Sequence, residues 1–189
     1  MFSHKRYIKY MLSLRHKVIL REELRKSGLN YCISLHGAIE FPEETTEAQL
    51  EELSKNLEKS DLELLDKNDS MLIDRIINTV VDVIHYSDEL PNLSFDDIIG
   101  NKQRMENEFI LKIFSDVKGM SIMQFIVLQK IERVKELLLY DEIPLAEIAE
   151  KLRYKNEDYL IAQFKNFTGL SPTYYKNLKN KRMRILQNA

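Results

Sequence analysis

The chain has 189 residues, a formal net charge of −2 and a single cysteine. That length suits one large domain or two small ones, and the lone Cys32 excludes an intramolecular disulfide framework and fits a reducing compartment. No apolar run reaches the ~18 residues that span a bilayer, and the N-terminus lacks the apolar stretch of a signal peptide, so a soluble, cytoplasmic protein without a membrane partner is expected. The charge is unevenly placed. Between Glu40 and Glu63 nine acids stand against Lys55 and Lys59, whereas 165–189 holds six Lys or Arg and no acid. A basic end fits a polyanion partner or a solvated tail.

In chain order, Tyr7–Tyr10 reads as a short strand. Ser13–Ser27 reads as a helix with Leu14, Val18, Ile19 and Leu24 at helical spacing and Gly28 as its stop. Tyr31–Leu35 alternates weakly and His36-Gly37 follows as a turn. Ala38–Phe41 is the next strand, closed by Pro42. Thr46 opens a helix with Leu50, Leu53 and Leu57 on one face, and Leu62–Leu65 is a last strand. The order β-α-β-β-α-β is the split βαβ, or ferredoxin-like, arrangement.

This order and the run Tyr7-Ile8-Lys9-Tyr10-Met11 resemble heavy-metal-associated domains. That family carries Met-x-Cys-x-x-Cys after its first strand, and the two thiolates bind a soft metal. Here the stretch is Met11-Leu12-Ser13-Leu14-Arg15-His16, with Ser13 and His16 where the cysteines stand. The resemblance therefore implies the fold and not the metal. His16, Cys32 and His36 are the only candidate ligands, and no cofactor is expected.

Asp66–Ser70 reads as a polar link, and helices follow. Met71–His85 carries a wide apolar stripe. Asp88–Asn92 breaks it, Leu93–Ile99 is a short helix with Ser94 as N-cap, and Gly100-Asn101 is a turn. Met105–Val117 is a helix closed by Gly119, and Ser121–Tyr140 is a long one with Ile122, Phe125, Leu128, Ile131, Val134 and Leu138 inward. Asp141–Pro144 stops it. Leu145–Leu152 is a short helix, Arg153-Tyr154-Lys155 a turn without glycine, and Asn156–Thr168 another helix. Short helix, tight turn and second helix make a helix-turn-helix.

Phe114–Phe125, FSDVKGMSIMQF, recurs fifty residues on as Phe164–Tyr175, FKNFTGLSPTYY. Phe109-Ile110 likewise matches Tyr159-Leu160. Each copy ends a helix with Gly and starts the next with Ser, so one supersecondary unit is used twice. Phe109, Ile110, Phe114, Phe125, Leu160, Phe164 and Tyr175 are expected in the core.

Ala146-Glu147-Ile148-Ala149, Tyr154, Phe164-Lys165 and Thr168-Gly169-Leu170-Ser171-Pro172 resemble the DNA-binding domain of the AraC/XylS family of bacterial transcription regulators. The resemblance runs from about Met71 to Lys179. It implies two helix-turn-helix units on one linker helix, with Glu106–Val117 and Asn156–Phe167 as recognition helices. Its base-contact positions fall on Glu108, Leu111, Lys112, Glu157, Asp158 and Ala162. Phosphate candidates are Lys102, Arg104, Lys155, Asn156, Lys165, Lys176 and Lys179.

The expected fold is thus α+β: a ferredoxin-like domain at 1–68, then an all-α double helix-turn-helix domain at 69–189. The expected function is a sequence-specific transcription regulator with double-stranded DNA as partner. RNA polymerase is a further expected partner, and exposed strand edges offer a route to a homodimer. There is no phosphate-binding glycine loop, no His-Glu-x-x-His and no Gly-x-Ser-x-Gly, so an enzyme is not expected. Two rivals remain. The N-terminal domain could be a metal or small-molecule sensing module, or the chain could be a protein-interaction protein whose acidic helices no longer bind DNA.

Overall fold

The structure is a computed structural model that describes residues 2–11, 13–42, 44–87, 90, 104–140 and 143–178. The N-terminal part holds the expected β-α-β-β-α-β order, but its first strand is divided. β1 (Phe2–Arg6) and β2 (Ile8–Lys9) are separated at Tyr7, and β3 (Cys32–Ile33), β4 (Ile39–Pro42) and β5 (Glu63–Leu64) follow. β1 pairs with β4 and β4 with β3, while β2 pairs with β5, all antiparallel. Tyr7 is where the chain changes partner. Its N–H donates to Ser70 Oγ at 3.2 Å and its carbonyl accepts from the Leu65 N–H at 2.9 Å.

The strand expected at Tyr7–Tyr10 therefore starts earlier, in a segment with no apolar alternation. Charge pairing supports it instead: Lys5 lies opposite Glu40 in the ladder, and buried Arg6 reaches Glu47 at 3.1 Å. Tyr31–Leu35 shrinks to Cys32–Ile33, because Ser34 enters a turn with Ala38 and with Gly37, whose φ is 86°. Pro42 lies in the last pair of β4 rather than beyond it.

α1 (Leu14–Ser27) and α2 (Glu47–Glu58) cover this part. Ser13 caps α1 by accepting from the His16 N–H, and Gly28 ends it in the left-handed region. Thr46 and Gln49 form a reciprocal capping box on α2, worth ~1 kcal/mol. The core gathers Ile8, Leu20, Leu24, Ile39, Phe41, Leu50, Leu53, Leu57 and Leu62. The stripe expected on α1 is rotated: Leu14 is 78% exposed and Val18 50%, and the inward face is Leu20 and Leu24.

α3 spans Lys67–Tyr86, so the polar link expected at Asp66–Ser70 is its first turn. The Asp66 carboxylate accepts from the Asp69 N–H at 2.8 Å, and an N-cap of this kind favours polar residues over a loop. On the next turn Asp74 accepts from Lys5 Nζ and from Tyr7 Oη, both at 3.0 Å. Burial first, then Asp74, pushes the Tyr7 hydroxyl far above its ordinary value, so it stays a donor.

The remaining helices are α4 (Arg104–Lys118), α5 (Ile122–Tyr140), α6 (Leu145–Lys151) and α7 (Glu157–Thr168), then α8 at 172–178. The segment expected as Leu93–Ile99 with the Gly100-Asn101 turn lies outside the described residues. Two compact units result. One takes 1–79 with 96–122, the other 80–95 with 123–189, so α4 groups with the N-terminal sheet. In the second unit Ile131, Val134, Leu137, Ile148, Leu152, Leu160 and Phe164 are buried; Leu128, expected inward, is half-buried.

His85 ties α3 to α5 within that unit. Its Nδ1 is 3.2 Å from Glu136 Oε2 and its Nε2 is 3.2 Å from Gln129 Oε1, while Arg133 donates to Glu136 at 2.9 Å. Burial pushes the Glu136 carboxyl up, but the hydrogen bonds from Arg133 and His85 outweigh it and hold the carboxyl below its ordinary 4.5. A depressed carboxylate stabilises the fold above its unfolded value, and this is lost as pH falls through the folded one. The melting temperature of wild type should therefore exceed that of Glu136→Gln near neutral pH. The gap should close as the pH drops below about 4.5. Glu136 is 44% exposed, so solvent keeps the gap small. A gap that persists unchanged at pH 3 would refute the linkage.

Candidate nucleic-acid interface

The sequence repeat is a repeat of geometry. Gly119 follows α4 with φ 67° and Gly169 follows α7 with φ 75°. The Gly119 N–H donates to the Ser115 carbonyl at 2.8 Å, and the Gly169 N–H donates to the Lys165 carbonyl at 2.8 Å. Each glycine thus closes the last turn in the left-handed region that a side chain resists. Ser171 then caps α8 by accepting from the Tyr174 N–H at 3.2 Å. Inside, Ile110 matches Leu160 and Phe114 matches Phe164, each at most 2% exposed.

The second unit is a complete helix-turn-helix. Ile148, Ala149 and Leu152 on α6 are buried, as are Leu160 and Phe164 on α7; the small Ala149 permits a close crossing. The turn has no glycine because Arg153 itself takes φ 50°. That conformation costs a non-glycine residue ~1–2 kcal/mol. The Arg153 N–H to Glu150 carbonyl bond (2.9 Å) and the Tyr154 N–H to Ala149 carbonyl bond (2.8 Å) hold it. Half-buried Tyr154 packs beside Tyr159, with Lys130 Nζ 5.4 Å from its ring centre. Burial, then Arg153, pulls the Lys130 amine below its ordinary value.

All six expected base-contact residues are exposed: Glu108, Leu111 and Lys112 on α4, and Glu157, Asp158 and Ala162 on α7. The structure so leaves an outward face on both α4 and α7. Lys155 and Lys165 are exposed too, and Lys176 is half-buried. Asn156 is exposed, but its side chain already caps α7 by accepting from the Tyr159 N–H at 2.8 Å. Arg104 begins α4; its side chain, Lys102 and Lys179 lie outside the described residues. Glu157 and Asp158 occupy the first turn of α7, where acids stabilise the helix dipole whatever else they touch.

Of the residues expected in the core, Phe109 is not there and Tyr175 is there only in part. Phe109 is 55% exposed and its repeat partner Tyr159 49%, and Tyr175 is half-buried, edge-on to Phe164 at 5.6 Å. Phe109 and Tyr159 sit one position off the buried stripes of Ile110/Phe114 and Leu160/Phe164. Helical spacing alone could have separated them from the core, since five residues to the next phenylalanine is more than one turn. Both lie beside the exposed residues just named.

The candidate metal ligands do not converge. His16 is on α1, Cys32 on β3 with its Sγ 3.6 Å from Glu40 Oε2, and His36 in the β3–β4 turn. Among the described residues no three His, Cys, Asp or Glu are placed to hold an ion. Ser13, where the resembled family has a cysteine, is occupied as the cap of α1.

Residues 105–177 match the protein family described as "Helix-turn-helix domain". Over 104 residues the chain is 27% identical to the uncharacterized HTH-type transcriptional regulator YtdP of Bacillus subtilis (strain 168); this takes in 55% of the chain and 13% of that protein's length. Among solved structures, it is similar to the C-terminal domain of AraT, a response regulator from Geobacillus stearothermophilus, at 24% identity over 57% of this chain and 84% of that one, with a TM-score of 0.48. It is also similar to the DNA-binding domain of AdpA, a global transcriptional factor solved with a target DNA, at 14% identity over 59% and 95%, with a TM-score of 0.49.

Proposed function

We propose, from the helix-turn-helix domain at residues 105–177, that this protein is a sequence-specific DNA-binding transcription regulator rather than a catalyst. The doubled geometry carries the reading. Two helices fifty residues apart end on the same left-handed glycine and the same 2.8 Å closing bond, and both present exposed side chains. A duplicated unit of this kind suits two adjacent major-groove segments. α5, at 19 residues, is about 28 Å long, close to the ~34 Å repeat of one face of B-DNA.

In this reading 69–189 is the DNA-binding part and 1–68 senses a signal or pairs two chains. The partners are double-stranded DNA and RNA polymerase, in the cytoplasm. Among the described residues no helix is long and apolar enough to cross a membrane. Lys112 is the strongest base reader, because a lysine can donate to guanine O6 and N7. Leu111 and Ala162 would contact thymine methyls, and Glu108, Glu157 and Asp158 would accept from cytosine amino groups. Phosphate contacts come from Lys102, Arg104, Lys155, Asn156, Lys165, Lys176 and Lys179.

Selection of bound fragments from a random DNA pool tests this. A motif with two half-sites about one helical turn apart is expected. Lys112→Ala should relax one half-site only, by ~1–3 kcal/mol. Recovery of no motif at low salt sinks the proposal. The exposed acids Glu108, Glu157 and Asp158 favour one alternative, a protein-binding surface on units that no longer read DNA, and that outcome would point to it.

A further inference from the structure

The C-terminal end of α4 is finished by a segment more than a hundred residues earlier. The last four carbonyls of a helix have no partner within it. On α4 the Ser115 carbonyl is met by Gly119, but the Asp116 carbonyl accepts from the backbone N–H of Tyr10 at 2.8 Å. Tyr10 adopts φ 63°, a conformation disfavoured for a tyrosine, and its hydroxyl is 3.5 Å from Asp116 Oδ2. Two residues on, Lys118 Nζ donates to the His36 carbonyl in the β3–β4 turn at 3.0 Å. Burial holds that amine below its ordinary value. The segment bearing Tyr10 is itself braced: Lys9 pairs with Glu63 across the β2–β5 ladder at 2.6 Å, and Ser13 caps α1. α7, by contrast, ends on its own Thr168 and Gly169, with Thr168 Oγ1 donating to the Phe164 carbonyl at 2.7 Å.

We infer that Tyr10 and the His36 carbonyl are positioning groups for the first recognition helix. They clasp α4 at Asp116 and Lys118, so the N-terminal domain sets how one DNA half-site is read and leaves the other to α7. The inference rests on the DNA-binding reading above and names the route by which the N-terminal domain acts on it. Neither clasping group touches DNA; each acts through the orientation of the helix that carries Glu108, Leu111 and Lys112.

Two measurements on the full chain test it. The first needs no DNA: hydrogen exchange by NMR should find the Tyr10 amide strongly protected, and at least ~10-fold less so in Lys118→Met, since the clasp then opens locally. The second uses the selected operator with each half-site scrambled in turn. The double variant Tyr10→Gly/Lys118→Met, whose glycine keeps the left-handed backbone, should lose ~10-fold affinity, about 1.4 kcal/mol, for the half-site that Lys112→Ala identifies. It should lose less than 2-fold for the other. Lys118→Arg, which still donates to the His36 carbonyl, should bind as wild type. Equal losses at both half-sites, no loss at either, or an unprotected Tyr10 amide overturns the inference. A protected amide in a wild-type protein that selects no motif sinks the DNA reading instead, and leaves the clasp as a packing contact.

Discussion

Phe164→Ala should destabilise the protein by about 3–5 kcal/mol, and Phe114→Ala by a similar amount. Both rings are 0% exposed. Removing a buried phenylalanine ring forfeits its transfer free energy and leaves a cavity that its neighbours only partly fill. Phe164 also loses its edge-on contact with Tyr175, worth ~0.5–1.5 kcal/mol beyond burial. The two positions are equivalent in the repeat but belong to different compact units. In a denaturant melt followed by probes in each unit, each substitution should first lower the transition of its own unit. Phe109→Ala is the control. Its ring is 55% exposed, so its effect should stay within ~0.5 kcal/mol. A cost above 2 kcal/mol for Phe109→Ala, or below 1 kcal/mol for Phe164→Ala, contradicts the assignment of faces.

Affinity for the selected operator should fall by about three orders of magnitude between 50 and 200 mM salt. The expected phosphate contacts include six cations: Lys102, Arg104, Lys155, Lys165, Lys176 and Lys179. Each neutralised phosphate adds about −0.9 to the slope of log affinity against log salt, so six give about −5. The acids on the recognition helices are not counterions to be released, but they repel phosphate and lower the whole line. Lys165→Ala should reduce the slope by about 1 and weaken all sequences alike. Lys112→Ala should leave the slope and change the preferred sequence. A slope near zero means that the exposed faces of α4 and α7 meet something other than DNA.

Much of this was legible in the residues because the repeat fixes it locally. Gly119 and Gly169 announce left-handed helix ends, Ser121 and Ser171 the next starts, and Thr46 the opening of a helix; each depends on neighbours within four positions. The outward residues of α7 were readable for the same reason, since Leu160 and Phe164 define the buried side. What escaped depends on distant partners. Phe2–Arg6 has no strand pattern of its own and is held by Glu40, Glu47 and Asp74. Leu14 and Val18 looked buried because helical spacing says which residues share a face, not which face meets the core. Asp66–Ser70 looked like a link because a capped polar first turn and a loop have the same composition. The contact of Tyr10 with Asp116 runs through backbone atoms, which carry no residue signature at all.

The change of partner at Tyr7 sets where this chain tolerates length variation. Its N–H faces Ser70, its carbonyl Leu65 and its hydroxyl Asp74. One residue added or lost between Arg6 and Ile8 would turn every later side chain of the strand to the opposite side, and would break three distant bonds together. The turn from Ser34 to Ala38 is closed by its own short-range bonds, but its His36 carbonyl also accepts from Lys118 Nζ at 3.0 Å. Related chains should therefore keep a fixed spacing on either side of Tyr7 and across this turn, while the side chain at Leu35, 95% exposed, is free to vary.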